Sequence, residues 1–379
     1  MNRRGFTLLE MLIAMGVTSI VIAVISIVLV KQSQASVKQT QQRSLEETGR
    51  QALLEIAYAV RMAGSGIDPR AAFDFDRYAC TSPGSGNTCN NNPGTEKPTP
   101  TPAVPGSRDK INGPDELVVS YRDPTFVRKV TAISGSNPYQ VTLDPLGPLK
   151  NPIKKDRIAM LLCSGADPVA YLALGADAAA GDTTITLRSI VNADGYYPQA
   201  LPDNGCFGKA TLVLVERIRY FVANDFDGVP ALFRDRGRAG DPQMLFRGIE
   251  DLQLTYTIGP APAGSASAGN GPAACGTKWV YGLCDQSVPN EAAQAPDWIN
   301  DSYDTAKRYT GHPANIRSVE INLVSRSPQR SPDKAGDPVP TIANRPGHAA
   351  DQFGRSIFKL TEQTPNLLAR AVLMPDVGG

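Results

Sequence analysis

The sequence predicts an α+β protein: a long N-terminal helix packed on a β-rich, mainly antiparallel globular region with long loops. Three observations carry this. From Phe6 to Val30 the chain is apolar, with Glu10 as its one charge. From Gln32 to Met62 there is no proline and a single glycine, Gly49, while apolar residues recur at helical spacing. Beyond residue 65, short β-branched and aromatic runs alternate with glycine- and proline-rich stretches. Gly (34) and Pro (31) together make up about 17% of the 379 residues.

At about 1.5 Å per residue the run from Phe6 to Val30 rises about 37 Å, enough to cross a hydrocarbon core of roughly 30 Å. Residues 6–30 therefore read as a transmembrane helix. Residues 31–64 read as its amphipathic continuation, with a stripe of Val37, Leu45, Ala52, Leu53, Ile56, Ala59, Val60 and Ala63. Gly64 and Gly66 followed by Asp68-Pro69 are stop signals. Two helices with a break near residues 31–36 are the alternative. An ordinary secretory signal does not fit: its apolar core is about 7–15 residues long, and here Arg3-Arg4-Gly5 precede a longer one. Flanking charges leave orientation open, since Arg3 and Arg4 are answered by Lys31, Lys38 and Arg43. A carboxylate within such a helix costs about 2.5–3.5 kcal/mol, so Glu10 calls for a partner or a role.

Net charge is +1, which gives no electrostatic reason to expect a nucleic-acid partner. The six cysteines are Cys80, Cys89, Cys163, Cys206, Cys275 and Cys284. The simplest disulfide pattern joins 80–89, 163–206 and 275–284, one of about 15 connectivities. No Cys-x-x-Cys exists, and His312 and His348 stand far from any cysteine in sequence, so no metal is expected. Asp225 and Asp227 in Asp-Phe-Asp-Gly are weak calcium candidates without the later Glu ligand, and the stretch reads better as a turn. No nucleophile–base arrangement, phosphate loop or metalloprotease motif is present, so neither an enzyme nor a cofactor is expected.

The head, residues 65–379, opens with a loop over 65–114. Strands are expected at 116–122, 126–133, 157–163, 183–190 and 210–223, then a hairpin turn at 224–228 and a strand at 231–234. Residues 244–258 read as one further strand, 315–326 as a half-buried one and 366–374 as the last. Insertions fall at 80–114, 259–313 and 327–354. The second of these holds Trp279 and Trp298, which brace a disulfide loop or, if exposed, mark a binding surface.

A short basic leader ending in Gly5, then Phe6-Thr7-Leu8-Leu9-Glu10 and an unbroken apolar run, resembles the class III signal of type IV prepilins and type II secretion pseudopilins. The resemblance implies cleavage after Gly5 by a prepilin peptidase on the cytoplasmic side and methylation of Phe6. It makes Glu10 the assembly carboxylate. LVLVERIRYFV (212–222), RGIEDLQLTY (247–256) and NIRSVEINLVSR (315–326) are similar to large minor pilins of the PilW type, and to J-type pseudopilins. This likeness implies a pilin lollipop, single-pass in the inner membrane with its head in the periplasm. After assembly it would stand at the tip of the pilus. It would prime or cap a type IV pilus in assembly, twitching motility or adhesion. A secretion pseudopilin and a tip adhesin are the alternatives. Implied partners are other minor pilins, the major pilin, the prepilin peptidase, the inner-membrane assembly platform and a tip adhesin.

Overall fold

The computed structural model describes residues 7–67, 72–73, 113–145, 147–163, 169–189, 210–236, 242–258, 274–275, 278–281, 316–328, 330, 338–343 and 345–368. A single helix, α1 (Leu8–Met62), runs 55 residues without a break at 31–36. Its first half, Leu8–Ser36, packs against none of the described residues and is long and apolar enough to cross a membrane. The hydroxyls of Thr18, Ser19 and Ser26 donate to the carbonyls of Ala14, Met15 and Ile22 at 2.7, 2.8 and 2.8 Å. Each is thereby satisfied by its own helix, as an apolar surrounding demands. From Leu45 onward one stripe turns inward, and Leu45, Ala52, Ile56, Ala59, Val60 and Ala63 are buried. The helix ends where Gly64 adopts φ 77° and donates to the Ser120 carbonyl at 2.9 Å. Asn366 Nδ2 donates to the carbonyls of Arg61 and Ala63 at 2.9 and 3.3 Å, satisfying acceptors that a helix end leaves bare.

Among the described residues the head contains two antiparallel sheets. The first comprises β1 (Leu117–Ser134), β2 (Tyr139–Leu143), β3 (Ile158–Cys163), β4 (Val169–Leu174), β5 (Thr184–Ser189), β6 (Ala210–Asn224), β7 (Pro230–Asp235) and β8 (Gln243–Arg247). Its order is β1-β2-β5-β4-β3-β6-β7-β8, and β1 also pairs with β6. Six strands therefore close into a barrel, with β7 and β8 continuing outward from β6. Closure leaves those six without a free edge. Alternate residues fill the interior: Val141 and Leu143, Ile185 and Leu187, Leu172 and Leu174, Ala159 and Leu161, Leu212 and Leu214.

The long strands β1 and β6 serve two structures. Leu117–Arg122 pair with Tyr220–Val215 outside the barrel, and Val127–Lys129 pair with Val213–Thr211 in its wall. Between them the register shifts at Asp123-Pro124. Proline has no N–H to donate, and Asp123 Oδ1 accepts from the Thr125 N–H and hydroxyl at 2.8 and 2.6 Å.

The second sheet comprises β9 (Ile249–Ile258), β10 (Ala274–Cys275), β11 (Lys278–Tyr281), β12 (Ile316–Arg326) and β13 (Arg355–Gln363), in the order β10-β11-β9-β12-β13. The inward stripe of α1 lies across β12 and β13. The main core joins Ala52, Ile56 and Val60 to Leu252, Leu254, Ile321 and Leu323, and reaches Leu117, Val119, Ile218 and Tyr220 of the first sheet.

Several sequence expectations are corrected here. Residues 244–258 are two strands in different sheets, divided at Gly248. That residue has φ 87°, donates to the Pro230 carbonyl and accepts from the Arg326 N–H, each at 2.7 Å. A Cβ there would lie 2.9 Å from the Arg326 carbonyl oxygen, so only glycine fits the crossover. The expected strand at 366–374 begins instead as a helical turn, α2 (Pro365–Leu368), and its remainder lies outside the described residues. Among the described residues the last strand is β13, which no expected strand covers. Strands β2 and β4 were also unforeseen, and the expected strands 116–122 and 126–133 are one bulged strand. The insertion 259–313 contains β10 and β11. Within the expected loop 65–114, Ile67, Ala72 and Phe73 are buried, and Phe73 forms a bridge to Val119.

Candidate assembly interface

The tip of α1 is built by Thr7 and Glu10. Thr7 is the N-cap, and the Glu10 N–H donates to its hydroxyl oxygen at 3.3 Å. In return the Thr7 N–H and hydroxyl donate to Glu10 Oε2 at 3.0 and 3.1 Å. This reciprocal capping box satisfies otherwise orphaned donors at the helix start. Its Thr-x-x-Glu signature stands plainly in the sequence, beneath the reading of Glu10 as an assembly group. Glu10 Oε1 accepts no bond from the described residues. Around the carboxylate stand exposed Leu8, Leu9, Met11, Leu12 and Ile13. The arrangement is a carboxylate at the positive end of a helix dipole, ringed by apolar side chains, with one oxygen available to a second molecule. The processing residues Gly5 and Phe6 lie outside the described residues.

Three contacts fix the register of the head on α1, and the sequence reading named none of them as such. At Gly49 a Cβ would fall 2.1 Å from the Phe358 ring, so the glycine lets the helix lie directly on β13. Its isolation in a helical stretch was the available signal. Glu55 Oε1 accepts from the Tyr220 hydroxyl at 2.9 Å and from Arg234 Nη1 at 2.8 Å, tying α1 to β6 and β7. Burial, then the charge of Glu55, pushes the Tyr220 phenol far above its ordinary range, so it remains a donor. Arg61 forms a two-pronged pair with Glu362, at 3.2 and 2.8 Å.

The other sequence candidates are scattered. Asp225 and Asp227 sit in the β6–β7 turn, where Asp225 Oδ1 accepts from the N–H groups of Asp227 and Val229, both at 2.8 Å. Arg247 reaches between the two carboxylates, with Nε 2.7 Å from Asp225 and Nη2 2.5 Å from Asp227. A guanidinium thus supplies the positive charge that a calcium reading would assign to a metal. Cys163 ends β3 and Cys275 lies in β10. Cys80, Cys89, Cys206 and Cys284 lie outside the described residues, and with them the expected pairing. Trp279 lies in β11 opposite Ile258 and Ala274, while Trp298 and His312 fall outside. His348 faces Val339 across a short bridge.

Residues 1–26 match the prokaryotic N-terminal methylation motif. Residues 219–366 match the family of type IV pilus-assembly protein W. Over these two segments the chain is similar to N-methylated prepilins and to minor pilins of the PilW type. The second match opens within β6 and runs into α2, so β1 to β5 and most of the barrel lie outside it. No curated protein matches this chain. Among solved structures, a type IV-like pilin from Thermus thermophilus is similar at 13% identity. It covers 57% of this chain and 86% of its own length, with a TM-score of 0.18, too loose for residue-by-residue comparison. The methylation motif and the bare apolar helix together mark a membrane-anchored N-terminus.

Proposed function

We propose that this minor pilin primes or caps a type IV pilus. Its prepilin is cut after Gly5, Phe6 becomes the methylated N-terminus, and the head stands in the periplasm until assembly. Glu10 then meets the free amine of a neighbouring pilin inside the bundle of apolar helices, which offsets the cost of a carboxylate there. Other minor pilins, the major pilin and the assembly platform are the partners this requires.

One observation carries the terminal position. The barrel is carried beyond the C-terminal end of α1, on a two-stranded stem formed by Leu117–Arg122 and Val215–Tyr220 that bonds to Gly64 and Ser65. A head extended in this way is hard to repeat at the short spacing of a helical fibre. It is easily held at an end, where nothing stacks above it. Immunogold labelling of the barrel on intact pili tests this: label at pilus ends is expected, and label spread evenly along the fibre removes the assignment. Mass measurement of the N-terminal peptide should find Phe6 first, heavier by one methyl group. A peptide that still begins at Met1 defeats the processing step. Loss of protein secretion with normal piliation, on deleting the gene, would favour the pseudopilin alternative.

A further inference from the structure

The β6–β7 turn holds Phe226 with 91% of its surface exposed, more than any other large apolar side chain among the described residues, the bare-helix Leu8 at 80% included. A flexible loop would fold such a side chain away. This turn is fixed on both sides, by the two backbone N–H groups that Asp225 accepts and by Arg247 bridging Asp225 and Asp227.

The register places the turn on a particular end of the head. Helix α1 and strand β13 run the same way, because Gly49 faces Phe358 while Arg61 pairs with Glu362. The start of β13 therefore lies on the side of the membrane-spanning half of α1. There Arg355 pairs across with Arg326, whose N–H donates to Gly248, and the adjacent Arg247 holds the turn. Phe226 thus stands on the underside of the head. By the rise of α1 this end lies about 15–20 Å above Val30. The headgroup layer is only about 5–7 Å thick, so a lipid contact does not reach it.

We infer that Phe226 is a preformed anchor for the head of a different pilin, received in an apolar pocket whose rim complements the half-exposed Asp227 and Arg247. The inference rests on the assembly reading above: if this subunit ends the fibre, every later subunit joins on its membrane side, and that side presents Phe226. A rigid, exposed aromatic loses little freedom on binding, which is what an interface hot spot requires.

The test places a photoreactive benzoyl-phenylalanine at position 226 of the full chain in piliated cells, and separately at Leu12 on the bare helix as a control for assembly. Adducts from 226 to the head of another pilin are expected. Adducts from Leu12 with none from 226, or from 226 only to lipid or to a second copy of this chain, overturn the anchor and leave the assembly reading standing. Silence at both positions brings down both. In parallel, Phe226→Ala should reduce co-purification with other pilins roughly tenfold or more. Its thermal unfolding should match the wild type, and unchanged co-purification also overturns the anchor.

Discussion

Removing the Glu55 carboxylate should loosen the head from its helix by an amount that the geometry bounds. In Glu55→Ala the buried Tyr220 hydroxyl loses its acceptor, and an unsatisfied buried polar group costs about 1–3 kcal/mol. Arg234 loses an ion pair whose partners are 19% and 30% exposed, worth about 0.5–1 kcal/mol at that exposure. Part of this returns through Gln243, which already accepts from Arg234 Nη2 at 3.2 Å. The expected loss is therefore about 2–3 kcal/mol. Glu55→Gln keeps a carbonyl acceptor for Tyr220 and should lose only about 1 kcal/mol. Tyr220→Phe removes the donor, so the double variant Glu55→Ala/Tyr220→Phe should be less unstable than the sum of its parts, with a coupling of about 1–2 kcal/mol. Urea unfolding of the full chain in detergent micelles measures the wild type and all four variants. The reasoning fails if the Ala and Gln variants agree within about 0.5 kcal/mol, or if the two substitutions are additive.

Glu10→Gln and Glu10→Ala separate the two roles of that residue. Glutamine can complete a capping box but carries no charge. If the charge serves assembly, both variants stay in the membrane and both are depleted from sheared pili; normal incorporation of the glutamine variant would leave Glu10 only its cap. Gly248→Ala should cost about 1–3 kcal/mol, from its φ of 87° and the nearby Arg326 oxygen. An unchanged urea midpoint would mean that the crossover tolerates a side chain. Arg355→Gln should destabilise in a pH-dependent way. Burial raises the Glu250 carboxyl, but Arg355 and Arg326 outweigh it and hold the group below its ordinary range. Arg355 likewise holds Asp351 well down, against a smaller effect of burial. Depressed folded pKa values give stability that is present above the ordinary carboxylate range and lost as pH falls through the folded values. The gap between variant and wild type should therefore narrow in acid, and an equal gap at neutral and strongly acidic pH would contradict the pairing.

What the sequence made legible was local. The length of α1, the β6–β7 hairpin and the alternating β12 all rest on short-range periodicity and turn residues, and each stands close to its expected bounds. What it hid was long-range. The barrel closes only when β1 meets β6, roughly ninety residues along the chain, and no local pattern announces such a pairing. Strand β13 escaped because it lies at a sheet edge with no residue fully buried, so Arg-Ser-Ile-Phe-Lys-Leu-Thr-Glu-Gln reads as surface. Gly248 was hidden by its neighbours, since β-forming residues on both sides run on as though the chain stayed in one sheet. At the site, Glu10 was visible as an anomalous charge. Glu55 was not, because a glutamate on an amphipathic helix looks like solvated surface until Tyr220 and Arg234 are brought to it by the fold.

The two-stranded stem also decides how the molecule bears tension. A pull along α1 shears the helix against β12 and β13, loading the contacts of Gly49 and Arg61, and against β6 and β7, loading those of Glu55. The barrel lies beyond the end of α1, with its own interior separate from the main core. Force therefore passes it by. The walls of β2 to β5 are free to vary in residue and shape without weakening the grip of the head on its helix, and the mechanical strength of the subunit is set by α1 with β12, β13 and the β6–β7 pair.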